Sequence, residues 1–142
     1  MSGLRAAVVG WLVLLAAMLA NGFVRVLVLE PRLGEVLARQ VATAFGVAIV
    51  VAVAGTFVRR RPHHGSAALL GIGVFWLLLT LAFEFLFGHY VAGASWQELL
   101  ADYDVLEGRF WPLVLLAVLL GPWLWGLAAA ERSGEAPQRR IV

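Results

Sequence analysis

Four long apolar runs, residues 6–29, 41–58, 67–87 and 110–130, alternate with short polar connections along the chain. At about 1.5 Å of rise per residue, helices of this length approach or exceed the roughly 30 Å hydrocarbon core of a bilayer. The pattern predicts an all-α fold: an integral membrane four-helix bundle of two transmembrane hairpins, with a short interfacial helix between the third and fourth spans. In the first run Asn21 and Arg25 interrupt the hydrocarbon, and Glu30-Pro31 should end the helix, because proline has no amide hydrogen to donate. A single Arg5 ahead of an apolar stretch also opens cleavable leaders. Residues 15–21 lack a clean small-x-small cleavage site and the run continues past them, so a retained span is the expectation.

Residues 33–40 are amphipathic and should lead directly into the second span. There Ala42 and Gly46, and separately Ala44, Ala48 and Ala52, recur at intervals of four, giving two stripes without bulk that would let another helix approach closely, if they are more than a high alanine content. Residues 59–66 form a polar turn with three consecutive arginines, a proline and a glycine. Between the third and fourth spans, Ser95 and Glu98 have capping-box spacing, predicting a short surface helix over 96–106 that Gly108 ends. Pro112 suits a first helical turn, whereas Pro122 beside Gly121 should kink the fourth span. From Glu131 onward, Ser, Gly, Pro and Arg read as a disordered cytoplasmic tail.

Composition strengthens the membrane reading. Of 142 residues, 62% are hydrophobic and 14% charged, against about 45–50% apolar and about 25% charged in a typical soluble domain. Cysteine is absent, which removes disulfides, thiolate metal sites and cysteine nucleophiles. All positive side chains other than histidine are arginines, a usage that with abundant Ala, Gly, Val and Leu fits a GC-rich bacterial genome. Four crossings put Arg5, Arg59, Arg60, Arg61, Arg132, Arg139 and Arg140 on one side and Arg25, Arg32, Arg39 and Arg109 on the other. Positive residues are retained inside, so both termini should be cytoplasmic, in the inner membrane of a bacterium. Glu30, Glu35, Glu98, Asp102, Asp104 and Glu107 then fall on the outer side, and the triple arginine faces anionic lipid.

Residues 80–111 hold five of the nine acidic residues and both tyrosines, so any specific chemistry should concentrate there. In the predicted topology Asn21 and Arg25, then Arg39 and Gln40, then Glu84 and His89, then Tyr103, Asp104 and Arg109 come to one level. Glu84 lies inside an apolar run, where an ionised carboxylate costs a few kcal/mol, so it should turn inward to a partner, Arg25 first and Arg39 second. Trp96, Tyr103 and His89 are the expected lid, and Trp96 and Trp111 the interfacial aromatics. Two readings stay open: a buried network that fixes helix register, or an outward pocket for a small ligand or partner protein.

Other chemistry is less well supported. His89 with Glu84, Asp102, Asp104 and Glu107 lacks the converging set a tight metal site needs, and His63-His64 reads as a solvated turn. Asp102-Tyr103-Asp104 starts like a calcium loop, but Leu113 stands where the twelfth-position acid belongs. No phosphate loop, nucleophile elbow or metalloprotease helix is present, and no cofactor is expected. An enzyme using Glu84 with His89 or Asp104 has no paired nucleophile, and a transporter would need oligomers because the inner halves of the spans are apolar. The expected partners are the lipid bilayer and, beyond it, further copies of the chain or another membrane protein. Nucleic acid is not among them, since the only basic patch is three arginines beside a bilayer.

Overall fold

The computed structural model describes residues 2–134, and over these it is helical without strands. Four helices are long and apolar enough to cross a membrane: α1 (Gly3–Leu33), α2 (Glu35–Arg59), α3 (Ser66–Tyr90) and α5 (Trp111–Gly134). The short α4 (Trp96–Ala101) lies between α3 and α5. Large apolar side chains such as Leu12, Phe45, Leu78, Leu86, Leu116 and Leu124 point outward, while Leu14, Val50, Leu69, Trp76, Val114 and Val118 fill the core. Helices apolar on all sides are stable only where hydrocarbon replaces water, which makes the chain a multi-pass membrane protein.

Helix α5 packs extensively on both α2 and α3, α1 packs on α2, and α1 meets α3 more loosely. The C-termini of α1 and α3 therefore share one end of the bundle with the N-termini of α2 and α5. The turn with Arg59, Arg60 and Arg61 occupies the opposite end.

Close approach depends on small residues. A Cβ on Gly73 would overlap the Leu119 carbonyl oxygen, so α3 and α5 meet backbone to backbone there. On α2 the buried row is Ala38, Ala42, Gly46, Val50 and Ala54. A row spaced by four drifts about 40° per step round an α-helix, and this drift hands the contact from α1 to α5: Gly46 lies between Met18 and Val114, and Gly121 abuts Ala54. The second expected stripe is corrected. Ala44, Ala48 and Ala52 are exposed, being offset by roughly 200° from the buried row and so lying off the packed face.

Between α1 and α3, two indoles replace close packing. Trp76, fully buried, donates its Nε1–H to the Ala7 carbonyl at 2.8 Å, and Trp11 donates to Thr80 Oγ1 at 3.1 Å. Thr80 in turn donates to the Trp76 carbonyl at 2.8 Å. At the arginine-turn end, Trp125 donates to the Val51 carbonyl at 2.9 Å and the Arg59 guanidinium sits 5.0 Å from its ring centroid.

The helix boundaries depart from expectation in three places. Proline does not end the first helix at Pro31, because residues Arg25–Leu29 form a π turn in which the Glu30 amide donates to the Arg25 carbonyl. The wider turn accommodates the ring, and Gly34, at φ 77°, ends the helix instead. Helix α5 runs unbroken through Pro122 to Gly134, so residues 131–134 of the expected tail are helical, and 135–142 lie outside the described residues. The predicted 96–106 helix breaks after Ala101: Asp104 caps a separate turn, Val105–Glu107, by accepting from the Leu106 amide at 3.1 Å. Gly108, at φ 77°, ends that turn instead of the longer helix it was expected to end.

Candidate functional site

At the end opposite the arginine turn, a cavity of about 280 Å³ opens between α1, α2 and α5 and reaches Glu84 on α3. Its apolar floor includes Leu15, Met18 and Val114. Arg25, Arg39, Arg109 and Asp102 supply charge at its wall.

Glu84 is held differently from the expectation. Tyr103 Oη–H donates to its Oε2 at 2.9 Å and Trp111 Nε1–H to the same oxygen at 3.0 Å. Arg25 instead pairs with Glu30, and Arg39 with Glu35 at 2.6 Å and Asp102 at 2.9 Å. The reason is local geometry. Residues five apart sit roughly 140° from each other round an α-helix, but the π turn at Arg25 closes a wider loop and brings Glu30 back over it. Glu35 and Arg39 are a one-turn pair on α2. Each guanidinium thus finds a carboxylate closer along its own path than Glu84.

Two neutral donors on one oxygen leave Oε1 of Glu84 without a hydrogen bond among the described residues. The carboxyl group borders the cavity with that capacity unfilled. Burial, reinforced by the bond to Glu84, holds the Tyr103 phenol above its ordinary range, so it stays protonated and able to donate.

Asn21 donates to the Ala42 carbonyl at 2.8 Å, tying α1 to α2 at the cavity wall. Arg109 reaches Asp102 at 3.5 Å, so that acid joins α2 to the connection ahead of α5. Gln40 lies against Gly108, where a Cβ would stand 3.4 Å from its Nε2. His89, Trp96 and Asp104 are not cavity residues. Nδ1 of His89 is 2.8 Å from the Ala94 carbonyl oxygen, and its ring stacks on Trp96 with centroids 3.9 Å apart. Phe85 stacks against both Trp96 and Tyr103, so these aromatics brace the connection from behind and place the Tyr103 hydroxyl. The capping box of Ser95 and Glu98 forms, with reciprocal bonds of 2.7 and 3.1 Å, and fixes the start of α4.

Sequence reasoning missed two roles. Asp102, as the acceptor for two arginines, is invisible because its partners lie 63 and 7 positions away. Trp111 stood as a boundary aromatic, and its position one helix-start after a charged turn does not reveal that its indole reaches back to α3. The chain matches no known family model, no curated protein and no solved structure.

Proposed function

We propose that this chain is a non-catalytic multi-pass protein of the bacterial inner membrane, with both termini cytoplasmic, whose outward cavity holds a small amphiphilic ligand. The observation that carries the reading is the cavity's reach to Glu84 past an apolar floor, with the second carboxyl oxygen uncommitted. A group that inserts a short apolar part toward Leu15 and Val114 and offers a donor to Glu84 fits it. A polar or anionic end would then lie among Arg25, Arg39 and Arg109. Arginine placement supports the orientation, since the three-arginine turn lies at the end away from the acidic connection.

The test uses Gly22, which lines the cavity and whose added Cβ would meet nothing within 4 Å. Gly22→Leu therefore fills the space while keeping the helix. After mild detergent extraction, mass spectrometry of wild-type protein is expected to find a small molecule near one per chain, and its loss from folded Gly22→Leu. Equal small-molecule content in both proteins would end the ligand reading.

A second reading, docking of another membrane protein, is favoured by the surface at the same end, where Leu106 in the connection is 99% exposed and Tyr90 at the end of α3 is 72% exposed. Leu106→Ser would then remove a co-purifying protein without changing the small-molecule content.

A further inference from the structure

A second concavity, of about 400 Å³, runs between α1 and α2 at the arginine-turn end. Val9 and Val13 form one wall, Ala52 and Val53 the other, and Arg60 and Arg61 stand at its mouth. Ala52 and Thr56 on α2 and Arg60, which caps its end, follow one another at intervals of four, so a single face passes from apolar floor to charged rim. The groove is open because Ala52 is small and faces away from α5.

From these features we propose that the groove is a binding site for an anionic phospholipid, one acyl chain lying along Val9, Val13 and Ala52 and the phosphate between Arg60 and Arg61. The charge pattern selects this occupant. Every ion pair among the described residues lies at the other end of the bundle, and Glu131, the described carboxylate in the last turns of α5 at this end, forms none with these guanidiniums. Arg61 is held over the Phe57 ring, its Cζ 5.6 Å from the centroid, and this positions its head group at the mouth. Thr56 commits its hydroxyl hydrogen to the Ala52 carbonyl at 2.8 Å, so the floor presents no stray donor to an acyl chain. A zwitterionic lipid would place its own cation against two arginines. A protein segment would need to supply both an apolar stretch and an acid at the same spacing. The site needs only that the four helices span a bilayer, and holds whichever leaflet the turn faces.

Native mass spectrometry of the full chain, released from micelles, tests the proposal with three probes: phosphatidylglycerol, phosphatidylcholine of the same acyl chains, and glycerol phosphate as the bare head group. The expected result is retained phosphatidylglycerol, with far less phosphatidylcholine and no glycerol phosphate. Replacing both arginines, Arg60→Gln with Arg61→Gln, should lower its occupancy about tenfold or more. Ala52→Phe, which fills the groove and leaves both charges, should lower it comparably, and Val13→Phe from the opposite wall serves if the first variant fails to fold. Equal retention of the two lipids, retention of glycerol phosphate, or full phosphatidylglycerol occupancy in a folded groove-filled variant would overturn it.

Discussion

Glu84 shows what an acid inside a helical span requires. It receives a phenol and an indole rather than a guanidinium, and each donor is one that the bilayer cannot replace. Glu84→Leu would leave both half-buried donors unpaired, and is expected to cost about 2–4 kcal/mol. Glu84→Gln keeps an acceptor oxygen for both and should cost less than about 1 kcal/mol. Reversible denaturation in mixed micelles measures the difference, and equal costs would show that the two bonds contribute nothing. Tyr103→Phe removes one bond and should cost about 1–2 kcal/mol. Its pH dependence has a definite sign. Burial and Glu84 raise the folded-state value for Tyr103, so the contribution of the phenol is complete below the unfolded value near 10 and declines as pH rises past it. The stability gap between wild type and Tyr103→Phe should therefore be flat from about pH 6 to 9 and narrow above about pH 10. That Glu84 turns inward was legible from its place in an apolar run. Its partners were not, because an arginine on another span looks the better match until the self-pairing of Arg25 with Glu30 is known.

At the scale of elements, backbone proximity governs which changes are tolerated. Gly73→Ala would press a methyl group into the Leu119 carbonyl, and the resulting separation of α3 from α5 should cost at least about 2 kcal/mol. Gly71→Ala, two positions away on an open face, should be neutral or slightly stabilising by helix propensity. Thermal unfolding of the two variants in detergent makes the comparison, and indistinguishable midpoints would show that the helices are not in contact at Gly73. The spans and their order were readable from apolar run length, and the capping box of α4 from its Ser and Glu spacing. The π turn was not, since only the widened ladder at Arg25–Leu29 reveals how the helix passes Pro31. The two alanine stripes of α2 looked equivalent in sequence. Only the positions of α1 and α5 decide which one is buried.

For the whole molecule, the absence of cysteine makes orientation directly measurable. Single-cysteine variants at Gln97 in α4 and His63 in the arginine turn place one exposed thiol at each end. In intact cells a membrane-impermeant maleimide should label Gln97→Cys and spare His63→Cys, and the reverse pattern would invert the proposed topology. The arginine count predicts this sign, and the fold adds the point that the two positions lie at opposite ends. The length of α1 bears on the same picture. Its 31 residues extend roughly 46 Å at about 1.5 Å each, beyond a hydrocarbon core of about 30 Å, so its last turns carry Arg25 and Glu30 toward the polar boundary.

One consequence concerns the order of events during biosynthesis. The span that packs extensively on both α2 and α3 is α5, the last of the four to leave the ribosome. Until it inserts, the earlier hairpin and the third span are held together only by the looser α1–α3 contact, and the tertiary structure cannot close before α5 is made. A nascent chain stalled before Trp111 would therefore present Gly46, Ala54 and Gly73 to lipid or to membrane chaperones, and its quality control would depend on the arrival of a single late helix.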